Sequence, residues 1–436
     1  MPNKDERVQE RPPLTLEEPP PRRFLQTLGP GLITGASDDD PSGIATYSQA
    51  GAQFGFCLLW TSLFSYPLMA AVQEISARVG RVTGRGIAGN MRRNYPRWLV
   101  FPLITLVLVA NTLNLAADIS AMGAALQLLV GGHPAVYAIL FALGSLVLQI
   151  FVPYTHYASL LKWLSLSLLA YVGTVFTVHV PWAAVLRQTA LPPISLSAEY
   201  LTALLAVLGT TISPYLFFWQ ASAEVEEVKG APREKPLRRA PEQAPAQLAR
   251  IKLDTYLGMA ASNVIAFFII LTAAATLHAT GKTDIGTAAE AAEALRPVAG
   301  PFASLLFASG VIGTGLLAIP VLAGSAAYAV SEALRWRTGL GRKPTEAVGF
   351  YGVLSAATLI GLGLTLTSLD PIRALFWSAV LNGIVAVPIM LVMMLMATNT
   401  KVMGAFTISG WLRLLGWTAT AVMALASIGL FATWGR

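Results

Sequence analysis

Apolar runs of about 20 residues, separated by short polar segments, extend along most of the chain, which is the pattern of a protein with many transmembrane helices. Two polar stretches stand apart from these runs. Residues 1–24, which are charged and rich in proline, are expected to form a disordered cytoplasmic tail, and residues 224–252 a flexible cytoplasmic loop. The pattern predicts an all-α membrane protein with about 11 spans, at 29–55, 57–77, 98–129, 135–153, 159–180, 199–223, 254–278, 301–331, 347–368, 372–397 and 409–433.

The basic residues indicate an orientation. With the N-terminus in the cytoplasm, all but five of the 30 Lys and Arg residues fall in cytoplasmic segments, the exceptions being Arg187, Lys282, Arg296, Arg373 and Arg436. This asymmetry follows the positive-inside rule and supports the number of spans. An odd number of spans places the C-terminus outside, and a bacterial-type inner (plasma) membrane is the expected location.

The first apolar run is interrupted by chemistry that a lipid-facing helix does not tolerate. Asp38, Asp39 and Asp40 are followed directly by Pro41, Ser42 and Gly43. Ionised carboxylates are costly in hydrocarbon, and proline removes a helical hydrogen bond, so the helix is expected to break beside the acids and to line a cavity. Freed backbone groups next to a carboxylate favour a cation site.

A second interruption lies in the sixth run, where Gly209, Thr210, Thr211 and Ser213 precede Pro214. Runs one and six are five spans apart and therefore cross the membrane in opposite senses, as inverted repeats require. We accordingly predict a first repeat over 25–180, a second over 199–397 and an added helix at 409–433, with the substrate between the two breaks.

Composition excludes several other classes of protein. The chain of 436 residues is 55% hydrophobic and 12% charged, and Cys57 is its one cysteine, which rules out an internal disulfide. The net charge of +7 reflects basic loops and does not indicate a nucleic-acid partner. No enzyme signature is present. The glycine-rich run 310–315 lies inside an apolar span, where small residues allow helices to pack closely, and it lacks the strand and helix context of a nucleotide-binding fold.

Several of these segments resemble the Nramp family of divalent metal transporters. The matching segments are 29–31, 40–41, 50–55, 58–60, 73–80, 83–84 and Pro214. The resemblance implies a LeuT-type fold of eleven helices, discontinuous first and sixth helices, a mid-membrane cation site and alternating access. A transported divalent cation is then expected at the site, with no bound cofactor, and the lipid bilayer as surroundings. A monomer is the expected unit.

The departures from the family pattern concern the site itself. Asp-Pro-Gly-Asn becomes 40–43, Asp-Pro-Ser-Gly, and Met-Pro-His becomes 213–215, Ser-Pro-Tyr, while a second histidine is replaced by Gln220. The third helix has Ala117 and Ser120 where proton-coupled members carry acids, with Asp118 one step out of place, so proton coupling is doubtful. Losing the thioether favours oxygen ligands and a hard cation, Mg²⁺ or Mn²⁺ over Fe²⁺. The candidate ligands and lining residues are Asp40, Ser42, Gly43, Thr210, Ser213, Tyr215 and Asn382.

Four further polar residues have two interpretations each. One of Asp38 and Asp39 is expected to face a vestibule and attract cations; the alternative is that it is a water-facing acid at the mouth of the cavity. Glu74 forms an i,i+4 ion pair with Arg78, which we favour, or acts at a gate. Asp118 is functional, or is a structural acid hydrogen-bonded to Asn111, Asn114 or a backbone group.

The sequence thus favours a secondary transporter of divalent cations. The rivals are a carrier of a small anion or organic solute on the same fold, using the positive ends of half-helices, and a membrane sensor or scaffold that does not transport.

Overall fold

The computed structural model describes residues 30–152, 166–367 and 370–433, so the predicted tail and the start of the fifth predicted span lie outside the described residues. The described residues form α-helices joined by short turns and 3₁₀ segments. The helices are α1 (Pro30–Asp38), α2 (Pro41–Phe54), α3 (Trp60–Thr83), α4 (Ile87–Asn94), α5 (Arg97–Val130), α6 (Pro134–Phe151), α7 (Leu169–Val175), α8 (Trp182–Ala190), α9 (Ala198–Thr211), α10 (Pro214–Gly230), α11 (Ala244–Thr276), α12 (Ala288–Glu293), α13 (Arg296–Ala299), α14 (Ala303–Leu334), α15 (Val348–Thr365), α16 (Pro371–Ala397), α17 (Thr400–Met403) and α18 (Gly410–Thr433).

The first apolar run breaks at the acids, as predicted. Helix α1 ends at Asp38, Asp40 has extended backbone angles (φ −69°, ψ 171°), and α2 begins at Pro41. Proline suits the first position of a helix, because its fixed φ is helical and no hydrogen bond to its nitrogen is needed there. Asp40 caps the new helix by accepting a hydrogen bond from Gly43 N.

The sixth run breaks in the same way. Helix α9 ends at Thr211, Ser213 has extended backbone angles (φ −83°, ψ 133°), and Pro214 starts α10. Both predicted discontinuities are therefore confirmed, and each places a proline at the start of the second half-helix.

The two broken helices lie at the centre of the packed helices. Helices α1 and α2 pack against α11, and α9 packs against α16. Small residues allow these close crossings: a Cβ atom built on Gly35 would lie 2.3 Å from Gly258 O, and one built on Gly209 would lie 2.1 Å from Ala379 O. Such contacts between backbones are typical of membrane helices.

Within the described residues, eight helical stretches are long and apolar enough to cross a membrane, and α2 with α3 forms a ninth candidate, bent by 107°. These stretches match predicted runs three, four and six to eleven, and the bent pair covers most of runs one and two. The fifth run is represented by α7 and the residues around it, since 153–165 are outside the described part.

One prediction about the polar stretches is wrong. Residues 224–252 do not form a loop throughout, because α10 continues to Gly230 and α11 already begins at Ala244. The intervening segment is attached to the end of α3, where Leu237 N donates to Arg81 O and Arg238 N to Val82 O, both at 3.2 Å. Polar helix ends that leave the membrane carry no hydropathy signal that distinguishes them from loops.

A candidate cation site between two helix breaks

Asp40 lies where the two helix breaks meet, and its side chain is 1% exposed. Its Oδ1 accepts from Gly43 N at 2.7 Å. Its Oδ2 accepts from Tyr215 Oη and from Asn114 Nδ2, each at 3.2 Å. Tyr215 belongs to the first turn of α10, so one carboxylate connects the two broken helices, and the predicted pairing of Asp40 with the sixth-run break is present.

Backbone carbonyls also face this point. The Tyr215 hydroxyl lies 3.2 Å from Ser37 O, in the last turn of α1. Because a phenol has one proton, it donates to either Ser37 O or Asp40, and its oxygen retains lone pairs. The carbonyl groups at the C-terminal end of a half-helix have no helical partner, so they are suitable cation ligands.

Asn114 and Ser378 extend the site in a direction that sequence reasoning missed. Ser378 Oγ donates to Asn114 Oδ1 at 2.6 Å, and Ser42 Oγ lies 3.3 Å from Ser378 Oγ and 3.1 Å from Leu375 O. The network joins α2, α5 and α16. The available signal was an asparagine and a serine inside otherwise apolar helices, where side-chain amides and hydroxyls hydrogen-bond across helices.

Thr210 and Ser213 lie on the other side of Gly43. A Cβ built on Gly43 would be 3.4 Å from Thr210 Oγ1 and 3.4 Å from Asp38 O, so glycine keeps this space open. Ser213 Oγ donates to Gly209 O at 2.7 Å and to Thr210 O at 2.9 Å. Its proton is therefore directed at its own helix, which leaves an oxygen lone pair for another partner.

Asp38 and Asp39 share a single donor. Ser262 Oγ lies 2.5 Å from Asp38 Oδ2 and 3.0 Å from Asp39 Oδ1, and Asp38 Oδ1 has no hydrogen-bond partner. Both acids are buried, at 0% and 6% exposure, so neither is the water-facing acid that one interpretation expected. One hydroxyl proton cannot satisfy two carboxylates.

Asp118 is fully buried in α5, and neither of its carboxylate oxygens accepts a hydrogen bond from a side chain. The expected hydrogen bond to Asn111 or Asn114 is absent, because Asn111 donates to Leu322 O and Ser325 Oγ, and Asn114 to Asp40. The third expected partner, a backbone group of a neighbouring helix, is present as the N–H of Ser42 at the start of α2. A buried carboxylate without a basic partner is costly in a protein interior, and both the functional and the structural interpretation of Asp118 stay predictions.

The other candidates are not among the hydrogen-bond partners of Asp40. Gln220 is hydrogen-bonded to Thr34 of α1, and Asn382 is buried in α16 with its Oδ1 unpartnered. Glu74 forms an ion pair with Arg78 at 2.5 Å, which confirms the ion-pair interpretation of that residue.

The charges at the site are unbalanced. None of the ion pairs in the described part of the chain includes Asp38, Asp39, Asp40 or Asp118. Over the same residues, no group of three or more Asp, Glu, His or Cys side chains has the arrangement of a metal cage. A cation at Asp40 would thus be held by one carboxylate and by neutral oxygens, with the other acids adding a negative field.

Comparison with known proteins covers nearly the whole chain. The family model described as "Natural resistance-associated macrophage protein-like" (Nramp) matches residues 31–433. The divalent metal cation transporter MntH of Klebsiella pneumoniae is 24% identical over 404 residues, 92% of each chain.

Solved structures show the same fold. A crystal structure of the Eremococcus coleocola manganese transporter has a TM-score of 0.75 at 17% identity, covering 96% of this chain and 90% of that one. MhsT in complex with L-phenylalanine has a TM-score of 0.61 at 13% identity, covering 92% and 98%. The predicted LeuT-type fold is confirmed.

Proposed function

Because this chain belongs to the Nramp family, whose members are membrane transporters and not enzymes, we propose that it carries a divalent metal cation across the membrane by alternating access. The proposal is supported by the similarity to MntH, described as a divalent metal cation transporter, and to a manganese transporter. The protein itself is an integral membrane protein embedded in lipid.

The observation that carries the proposal is the position of Asp40. Its buried carboxylate joins both helix breaks. Three more buried acids have no basic partner among the described residues: Asp38 at the end of α1, Asp39 between α1 and α2, and Asp118 on α5. Bringing uncompensated charges out of water is unfavourable, and a bound cation offsets that cost. The same acids would repel an anion, which argues against the anion carrier despite the half-helix N-termini.

For the ion we propose Mn²⁺ or Mg²⁺ in preference to Fe²⁺. Residues 213–215 supply hydroxyl and phenol oxygens and no thioether, and the Asp40 neighbourhood offers carboxylate, amide and carbonyl oxygens. Hard divalent cations prefer such ligands and commonly retain water. Candidate ligands remain Asp40, Ser37 O, Thr210, Ser213 and Tyr215, with Ser42 and Asn114 beside them. We do not expect proton coupling through Ala117 and Ser120, because neither side chain titrates.

We also propose the orientation with a cytoplasmic N-terminus and an external C-terminus. Segments predicted to be cytoplasmic contact one another: Arg238 Nη1 donates to Val402 O at 3.0 Å, and Gly89 N to Glu332 at 2.8 Å. Segments predicted to be external do the same, as in the Arg373–Asp284 pair at 3.4 Å. The repeats over 25–180 and 199–397 and the monomeric unit belong to the same proposal.

Cation uptake into proteoliposomes tests the role of Asp40. Asp40→Asn keeps the size of the side chain and removes its charge, and we expect the initial rate of Mn²⁺ and Mg²⁺ uptake to fall about 10- to 100-fold, since a bond to a charged ligand is worth ~1.5–3 kcal/mol. Asp284→Asn, at a carboxylate that is 69% exposed, is the control and should stay within about twofold.

Two results would contradict the proposal. Unchanged uptake by Asp40→Asn would remove Asp40 from the pathway. A wild-type protein that binds the cation but gives no flux above empty liposomes would favour the sensor or scaffold.

A further inference from the structure

A polar cavity that does not include Asp40 lies where α3, α10 and α14 end. We call it the basic pocket; its volume is about 570 Å³. Five cationic side chains and one carboxylate, Glu332, line it together with Trp336. The cations are Arg85, Arg92, Arg93, Lys229 and Arg335.

The fold builds the floor of the basic pocket from rigid parts. Asn90 Nδ2 donates to Thr83 Oγ1 at 2.8 Å and to the Gly86 carbonyl at 2.9 Å, which fixes the turn between α3 and α4. Glu332 accepts from Gly89 N at 2.8 Å, and a Cβ on Gly86 would lie 2.3 Å from Glu332 Oε1. Glu332 therefore holds the end of α14 against the first turn of α4.

The basic pocket has an excess of positive charge. Glu332 is already engaged by backbone N–H groups, and none of the ion pairs in the described ranges includes any of the five cations. Arg92 Nε is buried with no hydrogen-bond partner. Burial lowers the pKa of Arg85, and repulsion from Arg93, Arg239 and Arg238 lowers it further. A ligand with two or more negative oxygens would relieve the repulsion among the cations of the basic pocket.

The surroundings place the basic pocket at a membrane surface. Membrane-length helices end around it at Thr83, Gly230 and Leu334. Trp336, which lines the basic pocket, is 47% exposed, and Trp98, at the start of α5, is 75% exposed. Exposed tryptophans at helix ends are typical of the headgroup level of a bilayer.

We propose that the basic pocket binds the phosphate headgroup of an anionic phospholipid from the leaflet on the predicted cytoplasmic side. Guanidinium groups bind phosphate oxygens through paired N–H donors, and Lys229 adds a point charge from α10. Basic pockets between transmembrane helices on this side of a membrane bind anionic headgroups. Free phosphate has the same recognition chemistry but lacks the acyl chains that the membrane surface would hold. The inference is independent of which ion is transported.

Native mass spectrometry of the purified full chain tests this site. The chain is titrated with phosphatidylglycerol, with phosphatidylcholine and with inorganic phosphate, and the dissociation constant of the first adduct is measured. We expect phosphatidylglycerol to bind at least about tenfold more tightly than phosphatidylcholine. The double variant Arg93→Gln/Lys229→Gln should weaken that first phosphatidylglycerol by about tenfold or more.

The matched control is Arg337→Gln/Arg413→Gln, which removes the same charge from the same predicted side of the membrane but outside the basic pocket. It should change the affinity by less than about threefold. Equal weakening in both double variants would show general surface attraction and overturn the site. Inorganic phosphate that displaces phosphatidylglycerol at equal concentration would overturn the lipid as its source. Both double variants replace exposed side chains, and unchanged melting curves would verify their folding.

Discussion

At the scale of single residues, the phenol of Tyr215 connects the candidate ligand to both broken helices. It belongs to α10, and its oxygen lies 3.2 Å from both Asp40 Oδ2 and Ser37 O. Groups that hydrogen-bond a metal-binding carboxylate orient it, and their removal typically costs 10- to 100-fold in metal affinity. We therefore expect the tyrosine that stands in place of a family histidine to orient the Asp40 carboxylate as well as to pack.

Tyr215→Phe keeps the ring and removes this hydroxyl. We expect the KM for Mn²⁺ uptake to rise about tenfold, with the maximal rate within about threefold, because the ligand is misoriented but still present. Tyr351→Phe is the control, since its hydroxyl lies 3.0 Å from Arg342 O and 3.3 Å from Leu340 O, away from the site. A KM for Tyr215→Phe that equals the control value would refute the role of the hydroxyl.

Single residues also show what the sequence could predict about the site. Asp40 was identifiable because a carboxylate beside a proline inside an apolar run is too costly to face lipid and therefore points to a cavity or a bound ion. Asn114 was considered only as one possible partner of Asp118, four residues on in the same helix, because the facing helix that it contacts depends on packing. The donor from Asn114 reaches Asp40, 74 residues away in sequence.

At the scale of elements, a proline does not decide by itself whether a membrane helix breaks. Pro67, Pro320 and Pro388 lie inside the continuous helices α3, α14 and α16, whereas Pro41 and Pro214 begin new helices. The two breaks combine proline with charged or hydroxyl residues that satisfy the freed backbone groups. The breaks were therefore predictable from the sequence. The helical residues at both ends of 224–252 were not, because they are polar and pack through ion pairs, such as Arg250 with Glu224, that leave no apolar pattern.

The crossing of α9 and α16 supports the second break. Gly209 lies one residue before Thr210, and a Cβ there would overlap Ala379 O at 2.1 Å and Gly383 N at 2.6 Å. Backbone cannot move aside as a flexible side chain can, so added volume must separate the helices. The separation would move the end of α9 away from Gly43.

Gly209→Ala should therefore destabilise the fold by ~1–3 kcal/mol and lower uptake. Gly363→Ala in α15, where a Cβ meets nothing within 4 Å, is the matched control and should be neutral or slightly stabilising. Thermal unfolding followed by size-exclusion chromatography measures both. A melting temperature for Gly209→Ala equal to that of the control would contradict the close crossing.

At the scale of the whole molecule, Asp40 is buried, and polar contacts join the helices on both predicted sides of the membrane. On the predicted cytoplasmic side, Arg250 contacts Glu224 and Glu227, both at 2.7 Å, and the fully buried Arg81 contacts Glu234 at 2.6 Å. On the opposite side, Gln49 accepts from Ile285 N at 2.9 Å and donates to Thr283 O at 3.2 Å. Under the proposed alternating access, the contacts on one side would open at a time.

Removing the ion pairs of Arg250 should shift the population toward the state that is open on the predicted cytoplasmic side. Arg250 on α11 pairs with the buried Glu224 on α10. Arg250→Gln would leave the Glu224 carboxylate without this counter-charge, and the cost falls on the closed state only. An effect of even ~1.5–3 kcal/mol changes the ratio of open to closed states by about 10- to 100-fold. Arg373→Gln, which breaks an exposed pair at 3.4 Å, should change the same ratio by less than about fivefold.

Cysteine labelling can measure this shift, because Cys57→Ser removes the one native thiol. Thr34 on α1 is fully buried, and it precedes Asp38 on the half-helix that leads to the predicted cytoplasmic side, so Thr34→Cys can report opening there. In inside-out vesicles, Arg250→Gln should raise its labelling by a membrane-impermeant maleimide at least about fivefold, and Arg373→Gln should not. Faster labelling from the external side instead would mean that Arg250 closes the opposite face, and equal rates in both variants would mean that its ion pairs do not hold the closed state.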